Sequence, residues 1–137
     1  MKSSAFIDTN IFVNHFLGTH PEHGPASTAL LTRIQAGEVD AWITETVAFE
    51  TIFTLERTFR IPRVAIAPML TGLLILPNLH CRDKDLLVET LELWMNETPL
   101  SFADCYHLLS TRHLGLTQIY TFDRKMDRLP GVTRVEP

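Results

Sequence analysis

The chain contains five short apolar runs, which are separated by longer stretches with apolar residues at helical spacing. Short apolar runs are typical of buried strands, whereas apolar residues three and four positions apart are typical of helices. The pattern predicts strands alternating with helices, which favours a parallel sheet with helices on both faces. The predicted strands cover 5–7, 39–43, part of 73–79, 116–121 and 132–135.

Capping signals mark where the intervening helices begin and end. Gly37 and Gly115 stand where a glycine commonly ends a helix, and Gly72 is expected to interrupt the helix that Pro62 opens. Ser101 precedes Asp104 by three residues, which resembles a capping box. The predicted helices run over 11–17, over 26–36, from a cap at Thr44 or Thr46 to about 59, from 62 towards 72, over 86–96 after a cap at Asp83 or Asp85, and from 101 to 113.

The composition adds few constraints of its own. The chain has 137 residues, of which 45% are hydrophobic and 20% are charged, as in a folded globular protein. No repeat or flexible linker divides it, so we expect a single domain over residues 1–137. Cys81 and Cys105 form no CxxC pair, which favours a reduced, cytoplasmic setting. Asp8 and Asn10 interrupt the first apolar run, so we expect no signal peptide.

Residues 64–81 carry no Asp, Glu, Lys or Arg and approach the length of a membrane span. Pro68, Gly72 and Pro77 interrupt them, so we predict a buried helix, a turn and a strand, and no membrane contact. The formal net charge of −4 is not that of a protein that coats nucleic acid through an overall positive charge. A cluster of carboxylates could account for part of this net negative charge.

Two acids are predicted just past strand ends. Asp8 follows the first strand and Asp123 follows the fourth, and parallel α/β sheets gather ligands in the crevice at the carboxyl ends of their strands. Glu50, in the helix after strand two, and Asp104, in the first turn of the helix before strand four, could project into the same space. Oxygen ligands of this kind suit Mg²⁺ or Mn²⁺. Such ions lower the pKa of a bound water and stabilise charge at phosphorus, so phosphodiester hydrolysis is the chemistry that this pattern favours.

Each of these acids also has a purely structural interpretation. Asp8 and Asp104 could cap the helices that they precede or begin. Helical periodicity does not select Glu50, because Glu56 lies closer to the centre of the apolar arc. His20 and His23 have a spacing compatible with a metal site, yet the absence of further ligands nearby favours a polar loop.

Four segments in order, FIDTNIFV, ETVAFETIFTLER, LSFADCYHLLSTRHLG and IYTFDRKMDRLPGV, resemble the four acidic motifs of PIN-domain proteins. They are most similar to those of the toxin ribonucleases of VapBC toxin–antitoxin pairs. This resemblance implies a three-layer α/β/α sandwich around a parallel sheet of about five strands. It also implies an endoribonuclease in which four acids bind Mg²⁺ or Mn²⁺ and carry catalysis, namely Asp8, Glu50, Asp104 and Asp123.

The same resemblance assigns supporting positions and partners. Thr9 and Asn10 match the polar positions after the first acid, Thr121 matches the hydroxyl residue before the last, and Asp127 is a candidate helper outside the metal shell. The implied partners are an RNA substrate, a VapB-type antitoxin and a second copy of the chain. The apolar helix surface of residues 47–76 is the candidate contact between copies.

Three other classes of protein compete with this interpretation. A receiver-like signalling domain also places acids and Mg²⁺ at strand ends, but it needs an Asp after strand three, where this chain has Pro77 and Asn78. A phosphatase of the haloacid dehalogenase type needs Asp-x-Asp after strand one, where residue 10 is Asn. A PIN-like module that binds RNA or protein without cutting is disfavoured because all four acids are present.

Overall fold

The first three strands form a parallel sheet in the order β1-β2-β3. The computed structural model describes residues 2–137, and these divide into two compact units, of which the first ends at Lys84 and the second begins at Asp85. In the first unit, β1 (Ser3–Phe6) pairs in parallel with β2 (Val39–Trp42), which pairs in parallel with β3 (Leu79–His80). The predicted parallel pairing of these strands is confirmed, and the third strand is confined to the end of the apolar run and to His80.

Four helices complete the first unit, and their apolar sides supply its core. They are α1 (Thr9–Leu17), α2 (His23–Gln35), α3 (Glu45–Phe53) and α4 (Arg63–Leu74). The buried residues include Phe12, Ile34, Ile52, Ile66 and Leu70. Gly37 ends the α2 segment with φ +80°, in the left-handed region where glycine has no Cβ penalty.

The prediction that Gly72 interrupts the fourth helix is wrong. Helix α4 continues through Gly72 to Leu74 and also contains Pro68. A glycine inside a helix costs about 1 kcal/mol relative to alanine, whereas Leu70, Leu73 and Leu74 on the same helix are all buried. Burial of these three side chains stabilises the helix by more than the glycine destabilises it, so the helix continues through Gly72.

A π-helical turn, Thr54–Thr58, follows α3 directly and was not foreseen from the sequence. Together, α3 and this turn cover the predicted helix, which reaches Phe59 through a hydrogen bond from the Phe59 N–H to the Thr54 carbonyl. The wider turn shifts the helical phase of the residues that follow it. Turns of this type occur frequently at functional sites.

The second unit contains two helices and a parallel pair of strands. Its elements are α5 (Lys84–Asn96, of which Lys84 belongs to the first unit), α6 (Phe102–His113), β4 (Gln118–Tyr120), a 3-10 turn (Arg124–Met126) and β5 (Thr133–Val135). The indole of Trp94 meets the ring of Phe102 edge to face, with centroids 5.7 Å apart. The predicted capping box is confirmed, since the Ser101 hydroxyl accepts from the Asp104 N–H and an Asp104 oxygen accepts from the Ser101 N–H.

The helical and extended parts of residues 64–81 are confirmed as α4 and β3. Across residues 2–137, no helix combines the length and the apolar character that a membrane span requires. That residues 1–137 form a single domain stays a prediction.

Candidate active site

Asp8 lies at the junction between β1 and α1. The Ile7 N–H donates to the Trp42 carbonyl at 2.9 Å, so strand pairing extends one residue beyond β1. Asp8 then occupies the N-cap position of α1 with φ −83° and ψ 158°. Its side chain makes no capping hydrogen bond, and among residues 2–137 its exposed carboxylate has no hydrogen-bond or ion-pair partner. Asp8 therefore holds the position of a helix cap while both carboxylate oxygens stay available to a ligand.

Thr9 and Asn10 lie in the first turn of α1, because this helix begins two residues earlier than predicted. The Thr9 Oγ1 is buried and, within the described chain, has no hydrogen-bond partner. A buried hydroxyl without a partner costs free energy, so a polar group held beside Asp8 would compensate for it. The Asn10 carbonyl accepts from the Asn14 side chain at 2.8 Å, and the Asn10 amide is exposed.

Glu50 lies in the second turn of α3, and its side chain is exposed. No ion pair or hydrogen bond engages its carboxylate within residues 2–137. Glu56, the competitor that periodicity favoured, is instead paired with Arg63 at 3.7 Å and Arg57 at 3.9 Å. Of these two acids, Glu56 is engaged in ion pairs and Glu50 is available for ligation.

Asp104 is half-buried in the first turn of α6 and takes part in the capping box. Its Oδ2 accepts from the Ser101 N–H at 3.1 Å. The cap and ligand interpretations are therefore compatible, because one carboxylate oxygen fixes the orientation of the group and the other can face a ligand.

Asp123 is the N-cap residue of the 3-10 turn after β4 and is half-buried. Its Oδ1 accepts from the Lys125 N–H at 3.0 Å, and its Oδ2 lies 3.7 Å from the Lys125 Nζ. The Thr121 hydroxyl accepts from the Asp123 N–H at 3.0 Å, which holds the backbone of this acid in place. Thr121 thus has the positioning contact that its predicted supporting role requires.

Asp127 has a different environment. It is exposed and pairs with Arg134, with 3.4 Å between its Oδ2 and the Arg134 Nε. Arg134 also donates to the Thr121 carbonyl at 3.3 Å. Asp127 is therefore linked to Thr121 through Arg134, and its role as a helper outside the metal shell stays a prediction.

The four acids are divided equally between the two units. Asp8 and Glu50 belong to residues 1–84, and Asp104 and Asp123 belong to residues 85–137. Within residues 2–137, no three His, Cys, Asp or Glu side chains form a group that could hold a metal ion. The donor set itself is all oxygen, with free carboxylates at Asp8 and Glu50 and a buried, unpartnered hydroxyl at Thr9, and this chemistry fits Mg²⁺ or Mn²⁺.

Other reactive side chains of the first unit have structural partners. The His20 Nδ1 accepts from the backbone N–H groups of Glu22 and His23, and the two imidazoles stack with centroids 3.9 Å apart, so this pair organises the start of α2. Burial, with a contribution from Glu45, raises the pKa of Cys81 to about 11. A thiol with this pKa is protonated near neutral pH and is a poor nucleophile.

Three ring-bearing residues lie in register on neighbouring strands, a juxtaposition that was not predicted from the sequence, namely Phe6, Trp42 and His80. These residues are far apart in the chain, and only the strand register brings them together. The one signal in the sequence that could have pointed to them was a Trp near the end of the predicted strand over residues 39–43.

Comparison with known proteins gives a family assignment. A family model described as the PIN domain matches residues 5–132. No curated protein matches the chain. Among solved structures, the chain is similar to the crystal structure of Mycobacterium tuberculosis VapC20, described as a sarcin-ricin loop cleaving toxin. The two are 23% identical over 96% of this chain and 98% of the other, with a TM-score of 0.38, so the assignment rests on the family model alone.

Proposed function

Since the chain belongs to the PIN-domain family, we propose that it is a metal-dependent endoribonuclease and the toxin of a VapBC-type toxin–antitoxin pair. Membership of this family confirms the predicted α/β fold class. The match spans residues from both units, which supports the proposal that residues 1–137 act as one PIN domain. With cellular RNA as its substrate, the enzyme would work in the cytoplasm.

The observation that carries the proposal is the free carboxylate of Asp8. An acid at an N-cap ordinarily accepts from the first turn of its helix, and Asp8 does not. Glu50 is free in the same way, and the buried Thr9 hydroxyl beside Asp8 has no partner among residues 2–137. A carboxylate that is exposed at a strand end and not used by the fold, as at Asp8, is typical of a ligand site.

The residues that would hold the ion are Asp8, Glu50, Asp104 and Asp123. When bound, Mg²⁺ or Mn²⁺ supplies Lewis acidity, a water of lowered pKa and positive charge for the leaving oxygen. Thr121 positions Asp123 through its backbone N–H, and Ser101 orients Asp104 through the capping box. The exposed side chain of Arg124 is available to bind the RNA backbone.

The decisive experiment measures cleavage of single-stranded RNA by the purified chain with Mg²⁺ or Mn²⁺ and with a chelator. We expect cleavage that depends on the ion and that Asp8→Asn reduces by more than about 100-fold, the upper cost of losing even an outer-sphere partner. Glu92→Gln, a change to an exposed acid on α5, is the matched control and should cleave normally.

Mn²⁺ binding can be measured separately from catalysis, because the electron paramagnetic resonance signal of the free ion decreases as the ion binds. The wild type should bind the ion, and Asp8→Asn should bind it much more weakly. If the wild type binds RNA but does not cut it with either ion, the chain is an RNA-binding PIN-like module and the nuclease proposal is wrong.

We also propose two protein partners, a small antitoxin of the VapB type that blocks the acidic site and a second copy of the chain. The surface proposed for the second copy is the apolar helix surface of residues 47–76. Four large apolar side chains on it are exposed, which supports this assignment, namely Phe53, Phe59, Val64 and Ile75. Sedimentation equilibrium should give a dimer for the wild type and a monomer for Phe53→Lys, whereas a monomeric wild type would contradict this surface.

A further inference from the structure

A depression of about 280 Å³ lies between α1 and α2, beside the residues that follow Asp8. Helix α1 contributes one side and the start of α2 contributes the other, so the depression is built within the first unit. Sites that enclose a whole small molecule commonly measure about 300–1,000 Å³, and this depression suits a smaller group, such as one flat ring system. It is lined by Asn10, Ile11, Asn14, His23, Ala26 and Ser27.

Ser27 has a buried hydroxyl that the fold does not use. The residue is 4% exposed, and no hydrogen bond engages its hydroxyl within residues 2–137. Thr32, on the same helix, shows the usual alternative, since its hydroxyl donates to the Thr28 carbonyl at 3.0 Å. A buried hydroxyl without a partner costs free energy. Because Ser27 lines the depression, a polar ligand group bound there would compensate for this cost.

Asn10 and Asn14 place two amide groups one helical turn apart on α1. The Asn14 amide nitrogen donates to the Asn10 carbonyl at 2.8 Å, which fixes the Asn14 side chain and leaves its oxygen as an acceptor. The Asn10 side chain is exposed and makes no hydrogen bond in the part of the chain that the structure describes. Together with the Ser27 hydroxyl, the two amides supply donors and acceptors without any charge.

The His23 ring is held in one orientation. It stacks on the His20 ring, with centroids 3.9 Å apart and planes inclined by 5°. The His20 ring is fixed in turn, because its Nδ1 accepts from the backbone N–H groups of Glu22 and His23. His20 covers one face of the exposed His23 ring, which also lines the depression. The other face of this oriented ring can stack on a further flat ring at little cost in conformational entropy.

The depression begins close to Asp8. Asp8 is the N-cap residue of α1, Asn10 follows two residues later, and Asn14 lies one turn further along. At about 1.5 Å per residue, the stretch from Asp8 to Asn14 spans about 9 Å along the helix axis. One nucleotide can cover this distance, so a base bound in the depression keeps its own phosphate near Asp8.

We propose that the depression between α1 and α2 binds one unpaired base of the RNA substrate. The His23 ring stacks on the base, and the two asparagines and Ser27 form hydrogen bonds with its edge. This site rests on the proposed function, because it places the substrate of that reaction beside Asp8. Proteins recognise single-stranded RNA through bases that stack on flat side chains and form hydrogen bonds along their edges. Stacking tolerates every base, whereas the amides and the hydroxyl should make the affinities of the four bases differ.

A protein segment and a lone phosphate are poorer occupants. A stable protein interface buries about 800 Å² on each partner, whereas six residues line the depression and two of them, Ile11 and Ala26, are apolar. Among residues 2–137, the six that line it include neither Lys nor Arg, the usual partners of a phosphate. A neutral lining with donors, acceptors and one flat ring matches a base better than either.

Binding of a short RNA that carries one base and has abasic ribose at every other position tests the depression without cleavage. With a chelator present, fluorescence anisotropy gives the dissociation constant for each of the four bases and for the fully abasic RNA. We expect the best base to bind about 5-fold to 100-fold more tightly than the abasic RNA. The four bases should differ among themselves by about 5-fold or more.

Two variants separate stacking from recognition of the base edge. His23→Ala should remove most of the gain in affinity that the base gives, whereas His23→Phe, which keeps a flat ring, should retain most of it. Asn14→Leu keeps the side-chain shape without the amide and should narrow the difference among the four bases by about 3-fold or more. Asn96→Leu is the matched control, because Asn96 makes the same contact, 2.8 Å from the Glu92 carbonyl, and it should leave RNA binding unchanged. Thermal melting confirms that each variant folds.

Equal affinity of the wild type for the base-bearing and abasic RNAs would overturn the site, as would an unchanged gain in His23→Ala. A nucleoside 5′-monophosphate that competes as strongly as the single-base RNA would also overturn it, because the depression would then serve free nucleotides. The outcomes separate the two proposals. Ion-dependent cleavage without base-dependent binding removes only the base site, whereas base-dependent binding without cleavage removes only the nuclease assignment.

Discussion

The two candidate ligand acids of the first unit and the two of the second unit are held in opposite ways. Asp8 and Glu50 are exposed, and no partner engages their carboxylates among residues 2–137. Asp104 and Asp123 are half-buried, and each accepts from a backbone N–H, that of Ser101 or that of Lys125. The first pair is free to take up a ligand, and the second pair is oriented in advance by its own helical turn.

This difference separates two roles that a helix-starting acid can have. Asp104 completes a capping box with Ser101, whereas Asp8 has the position of a cap and makes no capping bond. Charge and position along the chain do not distinguish an acid that caps its helix from one that does not. The side-chain hydrogen bonds at the start of each helix make the distinction.

The largest effect that sharpens the comparison is expected at Glu50. Glu50→Gln should lower kcat/KM for RNA cleavage by about 100-fold or more, because it removes a charged ligand that has no structural partner. Glu56→Gln, on the same helical segment but in ion pairs with Arg57 and Arg63, should change it by about 2-fold or less. The reverse order in steady-state kinetics would move the site to Glu56.

The next effect concerns how the second pair is oriented. Thr121→Val removes the hydroxyl that accepts from the Asp123 N–H and keeps the side-chain shape. We expect about a 10-fold loss in Mn²⁺ affinity, measured by titration without RNA. Thr121→Ser should recover most of it, and unchanged affinity for Thr121→Val would remove Thr121 from the site.

Thermal and urea unfolding without metal should show which acids serve the fold. Ser101→Ala breaks the capping box at Asp104 and should lower the free energy of unfolding by about 1 kcal/mol. Asp8→Ala breaks no capping bond and should lower it by about half of that or less. Equal losses would mean that Asp8 also supports the helix that follows it.

The smallest effect is expected at Lys125, whose ammonium group competes with a cation for Asp123. Lys125→Ala removes an exposed ion pair and should tighten Mn²⁺ binding by about 2-fold to 5-fold. Arg124→Ala is the matched control, since it removes the same charge one residue away. Weaker Mn²⁺ binding by Lys125→Ala alone would mean that the pair orients Asp123 for the ion.

Sequence patterns predicted the helices and strands well where a local signal coincided with burial. The capping box at Ser101 and the parallel strands are examples. The prediction that Gly72 interrupts a helix failed because burial of neighbouring leucines outweighs the low helix propensity of glycine. The π-helical turn after Phe53 was missed because it has no sequence signature. The resemblance to the PIN-domain motifs selected Glu50 over Glu56, whereas the ion pairs that engage Glu56 arise only in the fold. The row of Phe6, Trp42 and His80 depends on strand register, which the alternation of one strand cannot reveal.

The central proposal is that Asp8, Glu50, Asp104 and Asp123 together bind a divalent ion. Anomalous diffraction from crystals of the wild-type chain grown with Mn²⁺ tests it most directly, because it locates the ion and its ligands without relying on activity. The expected result is one or two manganese peaks bounded by oxygens of these four acids and lost in Asp8→Asn. Manganese peaks elsewhere, or none beside Asp8 when the ion is saturating, would contradict the account.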